Sequence, residues 1–135
     1  MRKISYAIAA GALIAGSGTA FAQFLSGYSW KTGPDIYSHV CQSCHMPDGK
    51  GAVGAGAYPA LAGNAKLASP LYPVLVMLRG QKAMPSFSDL TDDQVAAAAN
   101  YIRGNLGNSF PGTVTAEQVK ALRAQAVKQQ MRAPG

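Results

Sequence analysis

Residues 41 to 45 read Cys-Gln-Ser-Cys-His, and the two cysteines in this run are the only two in the chain. No other five residues constrain the fold as much. Two thiols one helical turn apart, followed at once by an imidazole, call for a helix here with something bulky held against it. C-x-x-C-H is the pattern of covalent haem attachment: Cys41 and Cys44 add to two vinyl groups on one edge of the ring, and His45 then sits under the iron. A bare C-x-x-C also serves as a thiol redox pair or as half of a zinc site. The redox pair usually sits in a strand-to-helix setting that this sequence lacks, and the zinc site lacks its other ligands. An even cysteine count in an exported chain ordinarily suggests a disulfide; the spacing argues for haem instead.

One His leaves the opposite face of the iron open, and the candidates are His39, Met46, Met77 and Met84. Met46 follows His45 directly, about 3.8 Å away by Cα spacing, and cannot swing to the far side of the ring. Met77 borders an apolar helical stripe, where Met is usually core filler. His39 lies two residues before Cys41 on the same helix and points away from the iron, as a solvated or capping side chain. Met84 stands in Lys82-Ala83-Met84-Pro85-Ser86-Phe87, 39 residues beyond His45, in a loop whose Pro fixes the backbone locally. It is the expected second ligand. His/Met ligation raises the reduction potential and favours electron transfer over ligand activation.

The N-terminus says where such a chain works. Arg2 and Lys3 precede an apolar run from Ile4 to Ala15, and small residues lead to Ala20-Phe21-Ala22. This is the layout of a secretory signal peptide spanning residues 1 to 22, with cleavage after Ala22 and a periplasmic destination. The run is shorter than the ~18 residues of a membrane span. The remaining 113 residues make one domain with a formal charge of +4. Its cations are scattered, so nucleic-acid binding, which wants a basic stripe with interleaved aromatics, is not expected. A mildly acidic partner surface suits it better.

The expected fold is all-α. After a lead-in over residues 23–31, Thr32-Gly33-Pro34-Asp35 opens a first helix that runs through Ile36, Tyr37 and Val40 into Cys41. Residues 46–70, rich in Gly, Pro, Ala and Asn, form a long loop with at most one short helical turn; such loops usually wrap something. Leu71, Val74, Leu75 and Leu78 repeat as one apolar stripe, and Gly80 ends that helix. Thr91 and Gln94 make a capping box, with Leu90 and Val95 as a hydrophobic staple, for a helix whose buried face is Val95, Ala98, Tyr101, Ile102 and Leu106. A second box, Thr115 with Gln118, and a second staple, Val114 with Val119, start a short helix in a C-terminal extension over residues 108–135.

These residues together resemble the class I monohaem cytochromes c. The resemblance covers most of residues 32–106, and the expected cytochrome c domain is residues 32–107. It is carried by Gly33 and Tyr37, the 41–45 pentad, Pro59 and Leu61, Ala83-Met84-Pro85, and the helix from Leu90 to Tyr101-Ile102. It implies three core helices around one haem c, a first and last core helix crossing at Gly33 and Tyr101, and a Pro59 carbonyl that accepts a hydrogen bond from His45 Nδ1. It also implies a haem pocket that includes Pro59 and Leu61. More narrowly, His45-Met-Pro-Asp-Gly-Lys-Gly51, Pro59-Ala-Leu-Ala-Gly-Asn64 and Leu78-Arg-Gly80 are similar to cytochromes that serve periplasmic dehydrogenases of the alcohol, aldehyde, sugar and p-cresol methylhydroxylase types. A single C-x-x-C-H departs from their multihaem subunits, which leaves open a subunit or a free shuttle. Arg79 or Lys82 faces a haem propionate or solvent.

The function expected from this is electron carriage. The protein takes single electrons from a periplasmic dehydrogenase and gives them to a cytochrome oxidase, another cytochrome or a quinone-linked complex, with no catalytic residues of its own. The alternative is a haem-based sensor in which a small ligand displaces Met84. A peroxidase-like enzyme would need an open iron face and distal acid-base residues. The sequence supplies a Met and a Pro there.

Overall fold

The computed structural model describes residues 28–54 and 56–132. The expected leader and its cleavage point lie outside the described residues, as does residues 23–27 of the lead-in. Helix α1 (Gly33–Ile36), a π-helical turn (Tyr37–Cys41) and α2 (Gln42–His45) run on from one another. A 3₁₀ turn (Ala65–Ala68), α3 (Leu71–Arg79), α4 (Asp92–Gly104) and α5 (Ala116–Arg132) follow. Among the described residues the only β-type pairings are two isolated bridges, Val53 with Ala57 and Gln81 with Met84. The all-α expectation holds.

Local chemistry explains where each helix begins. The Thr32 hydroxyl accepts from Asp35 N at 3.3 Å, with Pro34 in the first turn where its missing N–H costs nothing. At α4 both halves of the capping box form, Thr91 N to Gln94 Oε1 at 2.8 Å and Gln94 N to Thr91 Oγ1 at 3.3 Å. Leu90 and Val95 are buried beside it as the staple requires. The same arrangement repeats at α5, with Thr115, Gln118 and buried Val114 and Val119. That helix is longer than the short one expected. Its Val119 and Ala126 are buried, and Arg123 donates to Asp92 Oδ1, Ser88 O and Leu90 O at 2.7–2.8 Å. The extension thus packs as part of the core.

Two expected faces are corrected. On α3 the buried residues are Pro73, Val74, Met77 and Leu78, while Leu71 and Leu75 are half-buried. The helix is rotated because Met77 joins Val74, Leu78, Leu90, Val95 and Val119 in the main core. On α4 Tyr101 is half-buried, and Leu106 lies past the helix end at φ 58°. Val95, Ala98 and Ile102 are buried as expected, and buried Arg103 completes the inward face in place of Tyr101 and Leu106.

The α1–α4 crossing depends on Gly33. A Cβ there would stand 2.6 Å from Ala97 O and 2.6 Å from Tyr101 Cβ, far inside van der Waals contact. Only a bare backbone lets the two helices meet this closely. Beyond the crossing, Tyr37, Leu67 and Ile102 form a second buried cluster against which Cys41, Leu61, Tyr101 and Leu106 pack. That cluster carries the attachment helix.

Candidate functional site

The π turn ends on Cys41, and α2 carries Cys44 and His45, so all three side chains project from one wide-turned helical stretch. π turns are rare and concentrate at functional sites. Both cysteines are free thiols and half-buried. Burial pushes the Cys41 thiol up to about 11, so its sulfur is uncharged at neutral pH. An activated redox thiol is tuned the other way.

His45 is almost fully buried, and its Nδ1 lies 3.0 Å from the Pro59 carbonyl oxygen. A carbonyl only accepts, so Nδ1 carries the proton and Nε2 is left with a free lone pair for a metal. The loop that delivers Pro59 is wound tightly back on the helix. Gly51 N donates to His45 O, Ala52 N to Cys44 O, and Leu61 N and Ala62 N both donate to Gly49 O. Gly51 sits at φ 80°, where a Cβ would approach Tyr58 O to 2.1 Å. No side chain fits there. On the other side, the Tyr37 hydroxyl donates to Met46 O at 2.6 Å. Burial, with a smaller contribution from Cys41, raises the Tyr37 phenol to about 12.

Met84 is half-buried at the end of a tight turn after α3. Gln81 N donates to Met84 O at 2.9 Å and Met84 N to Gln81 O at 3.0 Å. Gly80, at φ 71°, passes so close that a Cβ would meet Met84 O at 2.7 Å. Ser86 Oγ to Leu78 O and Phe87 N to Met77 O tie the far side of the loop to α3. The thioether therefore hangs from a backbone fixed on both flanks.

The other candidates are spent elsewhere. Met77 is in the core, and Met46 is exposed at the end of α2. His39 is exposed, stacks on Trp30 with ring centroids 4.4 Å apart, and has Nδ1 2.8 Å from Asp35 O. Arg79 and Lys82 both expose their side chains on either side of Gly80. Lys50 pairs with Asp48 at 3.4 Å on the surface.

Sequence reasoning missed three buried polar side chains around the site. Arg103 donates to Leu67 O, Gly112 O and Pro111 O. Asn108 bonds to Leu61, Gly63 and Ile102. Gln94, recognised only as a cap, also donates to Tyr28 O and Trp30 O. For Arg103 the available signal was a cation on the inward face of an otherwise apolar helix, next to Ile102.

An all-α chain with two thiols and a buried, carbonyl-oriented His on one helical stretch, and a Met held on a tight turn after α3, carries the residue set of a c-type cytochrome domain. Comparison with known proteins agrees. Residues 29–102 match the family model described as "Cytochrome C oxidase, cbb3-type, subunit III". The chain is 38% identical over 108 residues to the fructose dehydrogenase cytochrome subunit of Gluconobacter japonicus, covering 68% of this chain and 22% of that one. It is 37% identical over 106 residues to the gluconate 2-dehydrogenase cytochrome c subunit of Pantoea cypripedii, covering 69% and 24%. With cytochrome c-552 of Thermus thermophilus it shares 34% identity over 119 residues, 73% of this chain and 88% of that protein. The chain belongs to this cytochrome c family. It spans about a fifth of the length of the dehydrogenase subunits it matches.

Proposed function

We propose that this chain holds one haem covalently through Cys41 and Cys44, with His45 and Met84 as axial ligands. In the periplasm it passes single electrons from a dehydrogenase to a respiratory acceptor. The observation that supports this reading is the His45 Nδ1 contact to the Pro59 carbonyl, the outer-shell arrangement common to metal-ligating imidazoles, which turns Nε2 toward a ligand site. When bound, the haem supplies a one-electron iron couple. The protein's part is to fix the ligands, exclude water and leave one edge open to a partner.

The loop after the attachment helix suits that last task. Residues 51 to 65 contain no charged side chain, and Val53, Ala57 and Tyr58 are exposed within them. Lys50 and Lys66 bracket the run, and with Lys82 they give the mild positive rim that steers a brief encounter. The dehydrogenase subunits among the relatives point to a dehydrogenase as donor. Among the described residues no helix is long and apolar enough to cross a membrane.

Acid-acetone extraction of protein matured in a periplasm tests the attachment: the colour stays with the polypeptide, and extraction of all the haem refutes the thioether bonds. The ferric protein should show the far-red sulfur-to-iron band, lost in Met84→Ala and kept in Met77→Ala. The reverse pattern makes the α3 Met the ligand.

A further inference from the structure

After α4, Leu106 at φ 58° and Gly107 at φ 78° form a two-residue left-handed corner, closed by Asn108 N donating to Asn105 O at 2.9 Å. This corner turns the Asn108 side chain inward, and it is 7% exposed. Its carboxamide makes three hydrogen bonds. Nδ2 donates to Leu61 O and to Ile102 O, both at 2.9 Å, and Oδ1 accepts from Gly63 N at 2.8 Å. Two donors and one acceptor on so short a stem are what Asn alone provides. Asp offers no donor, and Leu of similar shape offers neither.

The segment so gripped is the one that orients His45. Pro59 gives its carbonyl to Nδ1 but has no N–H to anchor itself; Tyr58 N bonds to Ala52 O just before it, and its position depends besides on what holds the residues just after it. They are held from two sides. Leu61 N and Ala62 N bond to Gly49 O, and Asn108 takes Leu61 O and Gly63 N. Leu106, from the same corner, closes over Gly49, where a Cβ would meet Leu106 Cβ at 3.0 Å. The end of α4 thus clamps the Pro59 loop against the turn that follows the attachment helix.

We infer that Asn108 is a positioning residue for His45: through Leu61 and Gly63 it fixes the Pro59 carbonyl, and with it the orientation and basicity of the imidazole. The inference rests on His45 being an iron ligand. Outer-shell partners of ligating His set ligand orientation and electron donation, so a loosened Pro59 carbonyl moves the reduction potential as well as the ring proton's protection.

The test uses the holoprotein and a matched control. Asn100, on α4 itself, makes a comparable two-bond clamp, Nδ2 to Val114 O at 2.9 Å and Val114 N to Oδ1 at 2.8 Å, without touching the Pro59 loop. In Asn108→Ala, the His45 Nδ1 proton followed by NMR in the ferrous state should exchange with solvent about tenfold faster or more, and the potential should shift. Asn100→Ala should leave both where they are in the unaltered protein. Equal effects in the two variants, or no effect in Asn108→Ala, overturn the inference. Should Asn108→Ala fail to fold, the unaltered protein decides. The Gly63 amide and the His45 Nδ1 proton should then open together, with the same denaturant dependence, and independent opening overturns the clamp. Failure of the underlying ligation is seen separately, as an unaltered protein whose His45 ring shows no iron-induced shift.

Discussion

Replacing Gly33 by Ala adds one methyl group at the tightest approach between α1 and α4. The new carbon would sit 2.6 Å from Ala97 O and 2.6 Å from Tyr101 Cβ, with Ala97 C at 3.3 Å. Carbon contacts are comfortable at about 3.5–4.0 Å, so the deficit is about 1 Å against atoms that cannot rotate away. Overpacking of this kind costs roughly 1–3 kcal/mol, and the backbone targets put this site toward the upper end. Gly→Ala in a helix returns roughly 0.5–1 kcal/mol. The net loss is about 2 kcal/mol, or roughly 10 °C in Tm for a domain of this size. Gly104→Ala is the control with the opposite sign. A Cβ at Gly104, the last residue of α4, meets nothing within 4 Å. It should raise stability by about 0.5 kcal/mol or slightly more. Thermal unfolding of the holoprotein followed by far-ultraviolet circular dichroism measures both. A Gly33→Ala protein as stable as the unaltered one refutes the close-approach argument.

Three further outcomes follow from the core and its polar bonds. Met77→Ala, which empties a core position between Val74 and Leu90, should lower stability by roughly 2–5 kcal/mol in urea unfolding; a loss under 1 kcal/mol would mean the site collapses. Arg103→Met leaves the carbonyls of Leu67, Pro111 and Gly112 without their donor. Leu67 O is the buried one of the three, and at roughly 1–3 kcal/mol for a buried unsatisfied group the loss should be about 1–3 kcal/mol, again by urea unfolding; a near-neutral result contradicts it. Tyr37 ionises at about 12 in the folded chain against 10.0 unfolded. The folded state holds this proton more tightly, so its contribution is complete below pH 10 and is lost as pH rises toward 12. Tyr37→Phe should flatten the fall in stability across that window, and an unchanged slope assigns the alkaline loss to other groups.

What could be read from residues alone was whatever local spacing encodes. The capping boxes at Thr91 and Thr115 need only residues three apart, and both form as written. The Gly33–Tyr101 crossing and the Pro59 carbonyl followed from the family resemblance, and the close approach and the 3.0 Å contact are there. The π turn from Tyr37 to Cys41 was not legible, because a change of backbone hydrogen-bond register leaves no mark in side-chain periodicity. The α3 face was read one step round, since Leu71, Val74, Leu75 and Leu78 make as good a stripe as the observed one and only packing against the rest of the core chooses Met77. The partners of Arg103 and Asn108 were not legible for a related reason: Leu67 lies 36 residues from Arg103 and Leu61 lies 47 from Asn108. Bonds of that span exist only once the chain is folded.

Stopped-flow mixing of the ferric protein with a periplasmic alcohol or sugar dehydrogenase of its own organism, together with that enzyme's substrate, tests electron carriage most directly. The account predicts fast haem reduction that slows as added salt screens the Lys-rimmed encounter surface. Reduction that is undetectable with every such dehydrogenase, in a protein that binds carbon monoxide readily at low concentration, would contradict it and make Met84 a displaceable ligand in a sensor.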